Sequence, residues 1–186
     1  AGNESGLSAN LTVKTSEAPD TTAPTAPQNL ISSAITTNSL TLSWSASSDN
    51  KGVSGYKVFR DGVKVAETAA TAYPDSGLIA NTNYTYTVSA YDVAGNESAK
   101  SPGLAVKTQE LPDTTAPSIP ANLRSTAITM TSVSLAWNAS SDNKGVTGYK
   151  LYRGGIQIAN VAATSYNDPG LSANTNYAYA VKAYDG

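Results

Sequence analysis

The sequence contains no cysteine and no histidine. That removes thiolate nucleophiles, imidazole general bases and the usual zinc ligands together. Charge is also scarce: Asp, Glu, Lys and Arg make up 14% of the residues and the formal net charge is −2. No basic surface is available to hold a phosphate backbone, which excludes nucleic acid as an expected partner. No run approaches the roughly 18 apolar residues of a membrane-spanning helix, so membrane insertion is not expected. The first residues lack the charged and apolar regions of a signal peptide, which places any targeting signal outside this segment. A lack of cysteine does not fix the compartment, because it fits both the cytosol and bacterial export.

What the chain does have is a repeat. "DTTAP" at Asp20 returns at Asp113, and everything between falls into register at an offset of 93 residues without a gap. Trp44 meets Trp137, Tyr56 meets Tyr149, Tyr84 meets Tyr177 and Tyr91 meets Tyr184. From Asp20 to Asp92, 46 of 73 positions are identical to their counterparts. The opening "AGNES" recurs at Ala94–Ser98, and the chain closes on "KAYDG", where the first copy runs on into that motif. The 186 residues are therefore two whole periods of 93, shifted in phase. A period this long implies self-contained domains strung in line rather than solenoid units.

Within a period the pattern is that of strands. "SLTLSWS", Ser39 to Ser45, sets Leu40, Leu42 and Trp44 against Ser and Thr, and "NYTYTVSAYD", Asn83 to Asp92, alternates in the same way. Period two over seven to ten residues describes a half-buried antiparallel strand. Between them, "GYKVFRDGVKVAET" reads as two short strands meeting at Asp61-Gly62, with Gly154-Gly155 keeping that turn in the second copy. No helical period appears, and many short strands in a unit of under 100 residues indicate a β-sandwich.

Trp44 on the second strand, Tyr56 opening the third, and "LIANTNYTYTVSAYD" with Leu78 six residues before Tyr84 resemble a fibronectin type III domain. The wording "DTTAPTAP…AYDVAGNES" is similar to modules of secreted bacterial glycoside hydrolases and bacterial surface or filament proteins. The resemblance implies an all-β fold of tandem seven-stranded sandwiches arranged end to end. It places strand A at Asn29–Ala34, B at Ser39–Ser45, C at Gly55–Arg60, C′ at Val63–Glu67, E near Thr71–Tyr73, F at Asn83–Asp92 and G at Leu104–Thr108. It also implies that Tyr84 forms the corner at the start of strand F. Three segments follow: 1–19, a strand G and linker belonging to a preceding repeat; 20–112, a complete domain; and 113–186, a domain lacking its own strand G.

Candidate chemistry is sparse. On that map the segment before strand A, the B–C loop and the F–G loop share one pole, which gathers Asp20, Asp49, Asn50, Asp92 and Asn96. Hard oxygen ligands from loops suit Ca²⁺, while local turn chemistry, in which Asp and Asn bond their own backbone, explains the same residues without a metal. Most tyrosines have the inward phase of core residues, whereas Phe59, Tyr91, Tyr152 and Tyr184 face outward and are the aromatics available to stack on a sugar ring. "DTTAPTAP" reads as a stiff extended linker.

The phase of the repeat carries the sharpest expectation. The second domain ends after strand F, and the sequence of its missing strand G is "LTVKT", Leu11 to Thr15. An absent edge strand leaves unpaired backbone groups and an apolar groove. Two modules in line separate slot and strand by about 60 Å, beyond the roughly 40 Å reach of twelve linking residues, so the strand is expected from a neighbour unless the two modules fold back side by side. Leu11, Val13 and Thr15 are thus expected to lie against Tyr177, Tyr179, Val181 and Tyr184 of the preceding unit. Two arrangements satisfy this, a longer continuous array and separate chains joined by strand donation.

The resulting expectation is a non-catalytic structural segment of an exported bacterial protein. It would sit outside the cell or at its surface, as a spacer or the body of a filament, with neighbouring copies as partners. The alternative is a carbohydrate-binding accessory module of a polysaccharide-degrading enzyme. No acidic pair stands apart from the turns to suggest glycoside hydrolysis.

Overall fold

Alternating patterning builds the first unit. A computed structural model describes all residues, Ala1–Gly186, which divide into the units Ala1–Leu111 and Pro112–Gly186. The first holds seven strands: β1 (Gln28–Ser33), β2 (Ser39–Ser45), β3 (Val53–Arg60), β4 (Val63–Thr68), β5 (Ala72–Ser76), β6 (Asn83–Asp92) and β7 (Leu104–Lys107). They form two antiparallel sheets, in the orders β1-β2-β5 and β4-β3-β6-β7. The inward residues of both sheets, Leu40, Leu42, Trp44, Tyr56, Val58, Tyr86, Val88 and Ala90, make one core closed by Val106 of β7. Trp44 meets Tyr56 edge to face with ring centroids 5.4 Å apart, a geometry that aligns ring edge with π face.

Turn chemistry sets the connections. Asp61 and Gly62 both take positive φ, 51° and 82°, as a two-residue hairpin joining β3 to β4 requires. Tyr84 Oη accepts a hydrogen bond from the Ile79 N–H at 2.9 Å, and Tyr177 Oη does the same for Ser172 at 2.9 Å. This is the tyrosine corner expected at the start of the sixth strand. Pro74 lies inside β5, which pairs with β2 and ends its sheet, so its missing N–H costs no ladder bond there.

The second unit repeats the plan with six strands: β8 (Arg124–Ile128), β9 (Ser132–Ala136), β10 (Gly148–Arg153), β11 (Ile156–Val161), β12 (Ser165–Pro169) and β13 (Tyr179–Tyr184). Their sheets run β8-β9-β12 and β11-β10-β13. β13 pairs with β10 alone, whereas its counterpart β6 lies between β3 and β7. Residues 1–27 contain no strand. The "DTTAPTAP" segment is not a free spacer, however. Pro24 and Pro27 are buried, and Thr25 and Ser48 exchange bonds of 2.9 Å, from Thr25 N–H to the Ser48 carbonyl and from Ser48 N–H to Thr25 Oγ1. Ser118 and Ser141 repeat that exchange in the second unit.

Candidate functional site

At one pole of each unit three carboxylates converge. Asp20 precedes β1, Asp49 follows β2 and Asp92 ends β6, and one oxygen from each lies within 4.8 Å of the others. Asp113, Asp142 and Asp185 form the same group in the second unit. Local backbone geometry holds them. Asp49 Oδ1 accepts from the N–H groups of Lys51 and Gly52 at 2.9 and 3.1 Å, and Asp20 Oδ1 accepts from Thr22 N–H at 3.1 Å. Asn50 and Asn96 meet the group with their amide N–H. Asn50 donates to Asp20 Oδ1 at 3.1 Å, and Asn96 donates to Asp92 Oδ2 at 2.8 Å and to the Asp20 carbonyl at 3.2 Å. Three carboxylates thus gather at each pole, and at the first the asparagines brace them through their amide N–H groups.

These contacts set the charge. The Asn50 amide, with the Thr22 N–H, holds the Asp20 carboxyl below the usual carboxylate range. The Thr115 N–H, with the Asn143 amide, does so for Asp113. Lys51 pairs with Glu17 beside this pole. In each unit the outer oxygens of the first two carboxylates, Oδ2 of Asp20 and Asp49 and of Asp113 and Asp142, are buried and have no hydrogen-bond donor.

The second feature is the open side of β13. In the first unit β7 covers this side, pairing Asn83 with Lys107 and Tyr86 with Leu104. Under it Tyr86 and Val88 are 0% exposed, whereas their counterparts Tyr179 and Val181 remain partly exposed. The uncovered slot is a groove of about 510 Å³ lined by Leu123, Ile128, Val133, Leu135, Tyr177 and Tyr179 together with the polar Arg124, Ser125, Thr175 and Asn176. Leu11 and Val13, the apolar residues of the matching sequence, are 84% and 77% exposed.

Three of the four outward aromatics, Phe59, Tyr91 and Tyr184, are already engaged. Lys100 Nζ stands 3.7 Å from the centroid of the Phe59 ring, a cation–π contact that caps the face a sugar would use. Tyr91 lies across Gly55, where an added Cβ would meet its Oη at 2.7 Å, and Tyr184 lies across Gly148 in the same way at 2.9 Å. Lys57 and Lys150 sit over these two rings, 5.5 and 5.1 Å from the centroids.

One buried network escaped sequence reasoning. Asp75 accepts two bonds from Arg60 Nη1, at 3.0 and 2.9 Å, and one from Tyr86 Oη at 2.7 Å. Asp168, Arg153 and Tyr179 repeat it. The signal lay in the repeat, since each member occupies a position that the two copies share. It joins the two sheets across the core of each unit, and in the second unit its Tyr179 also lines the open groove.

Comparison with known proteins bears on the same architecture. Exoglucanase B of Cellulomonas fimi is 50% identical over 193 residues, covering 100% of this chain and 18% of the relative. Chitinase A1 of Niallia circulans is 47% identical over 168 residues, covering 89% of this chain and 24% of the relative. Exoglucanase A of Cellulomonas fimi is 45% identical over 195 residues, covering 100% and 22%. The chain thus spans less than a quarter of the length of these relatives. The profile of the fibronectin type III domain matches residues 25–107 and 116–186, one stretch in each unit. With two antiparallel sheets, the tyrosine corner and these two matches together, the chain belongs to the fibronectin type III family and consists of two such non-catalytic domains in tandem.

Proposed function

We propose that the chain is a spacer segment of a larger exported bacterial protein, a run of sandwiches that separates functional domains or forms the body of an extracellular filament. The observation that carries this reading is that one module is built twice by a gapless 93-residue repeat. A site evolved for one substrate has no need of two copies at a fixed interval, whereas length is additive in such units. The relatives are exoglucanases and a chitinase, enzymes of polymers too large to enter a cell, which supports a location outside the cell or at its surface.

Within such a run the slot on β13 takes a strand with the sequence of Leu11–Thr15 from a following copy of the repeat. The support is the register of β7 in the first unit. "LAVKT" at Leu104–Thr108 differs from "LTVKT" at one position, and its Val106 is buried against the core. Strand addition supplies main-chain hydrogen bonds and one apolar residue in every two.

A carbohydrate-binding accessory module is the competing function, and the lysines over Phe59, Tyr91 and Tyr184 count against it. Incubation with insoluble chitin and cellulose separates the two. The spacer reading predicts that the protein stays in the supernatant over both polymers. Depletion that disappears on combining Phe59→Ala with Tyr152→Ala would replace it with the binding reading.

A further inference from the structure

We propose that each unit carries a Ca²⁺ site, made by Asp20, Asp49 and Asp92 in the first and by Asp113, Asp142 and Asp185 in the second. Three acidic residues near one another are common on protein surfaces and mean little alone. What distinguishes this pole is the state of the oxygens. In Asp49, Oδ1 is committed to the backbone N–H groups of Lys51 and Gly52, and in Asp20, Oδ1 is committed to Thr22 and Asn50. Oδ2 of both is buried with no donor in reach. The second unit leaves Oδ2 of Asp113 and Asp142 in the same condition. A buried carboxylate oxygen without a partner is costly, and the usual remedies are a donor or a cation. The turns have used the donors on the other oxygen of each pair.

The spacing fits a hard cation of calcium size. Two ligands about 2.4 Å from a shared ion can be no more than about 4.8 Å apart, and one oxygen from each carboxylate falls within 4.8 Å of the others in both units. Asp92, 2% exposed, has both oxygens bonded by Asn96, yet each oxygen keeps a second lone pair for a metal. In the first unit the ligands come from the segment before β1, the loop after β2 and the end of β6, without a rigid octahedral cage, and Ca²⁺ tolerates such sets where Mg²⁺ does not. Bound there, the ion would tie the segment entering each unit, through Asp20 or Asp113, to two loops of that same unit. The inference stands whether or not the chain is a spacer.

The test is calcium titration of the whole chain after dialysis against chelator, read by calorimetric binding and by thermal melting. Affinities of extracellular calcium modules are on the order of 10⁻⁴–10⁻³ M. The expected result is two ions per chain, and melting transitions raised on the order of 5–15 °C at about 10 mM Ca²⁺. Asp49→Asn keeps the amide oxygen that accepts from Lys51 and Gly52 while removing the charge, so the turn survives. It should leave one ion per chain, Asp142→Asn should leave the other, and the double variant none, with all three folded by circular dichroism. Absence of binding at about 10 mM Ca²⁺, or a stoichiometry unchanged in the double variant, would overturn the proposal.

Discussion

Asp75 shows how one residue organises a module. It is 3% exposed on β5 and receives Arg60 and Tyr86, cross-strand partners on the facing sheet. A buried charge is tolerated only when paired and fully hydrogen-bonded, and this one has both. Tyr86→Phe removes one bond to the carboxylate and should cost about 1.5–3 kcal/mol, the range for hydrogen bonds to charged groups. Denaturant melts of the first unit would measure it. The equivalent hydroxyl in the second unit makes an alkaline prediction. Burial, and then the bond to Asp168, push the Tyr179 hydroxyl from 10.0 up to about 12. The folded unit therefore holds the phenolic proton more tightly than the unfolded chain. This contribution is whole below about pH 10 and is lost as pH rises through about 12. Melting temperature followed from pH 9 to about 12 should fall for the native chain. It should fall less for Tyr179→Phe, and equal slopes would contradict the assignment. Periodicity could not foresee this network. Arg60 and Asp75 are 15 residues apart and meet only once the two sheets have closed.

At the scale of elements, strands were the legible part. The alternation of Leu40, Leu42 and Trp44 and of Tyr84, Tyr86 and Val88 marks β2 and β6 to the residue, since a half-buried strand needs that period. Edge strands were less legible. β5 runs over Ala72–Ser76, past the expected Thr71–Tyr73, because Pro74 is harmless in a strand paired on one side only. The docked "DTTAPTAP" segment was missed altogether, since proline-rich composition reports stiffness and says nothing of the Thr25 and Ser48 contacts that hold it. At the acidic pole the shared loop cluster could be read from the expected topology. Which oxygens lack donors could not. The open side of β13 yields a prediction of its own. A synthetic peptide with the sequence of residues 7–17 should pair with β13, raise the melting temperature of the second unit and leave the first unchanged. A version carrying Val13→Asp should do neither, because its counterpart Val106 is buried against the core in the first unit and a carboxylate there would be desolvated. Equal effects from both peptides, or none from the native one, would count against strand complementation.

In the molecule as a whole, each unit folds around its own tryptophan. The cores of the two units share no residue: one gathers on Trp44 and Tyr56, the other on Trp137 and Tyr149. The second is smaller, with Tyr179 and Val181 packed at its margin where Tyr86 and Val88 lie at the centre of the first. It should therefore melt at the lower temperature. The most direct test is calorimetry of the native chain beside Trp44→Ala. Removing a buried tryptophan costs about 3–5 kcal/mol, a large part of the stability of a domain this size. The native chain should show two transitions, and the variant should lose or steeply lower the upper one while the lower stays in place. A single transition in the native chain, or collapse of both in Trp44→Ala, would contradict two independently folding units.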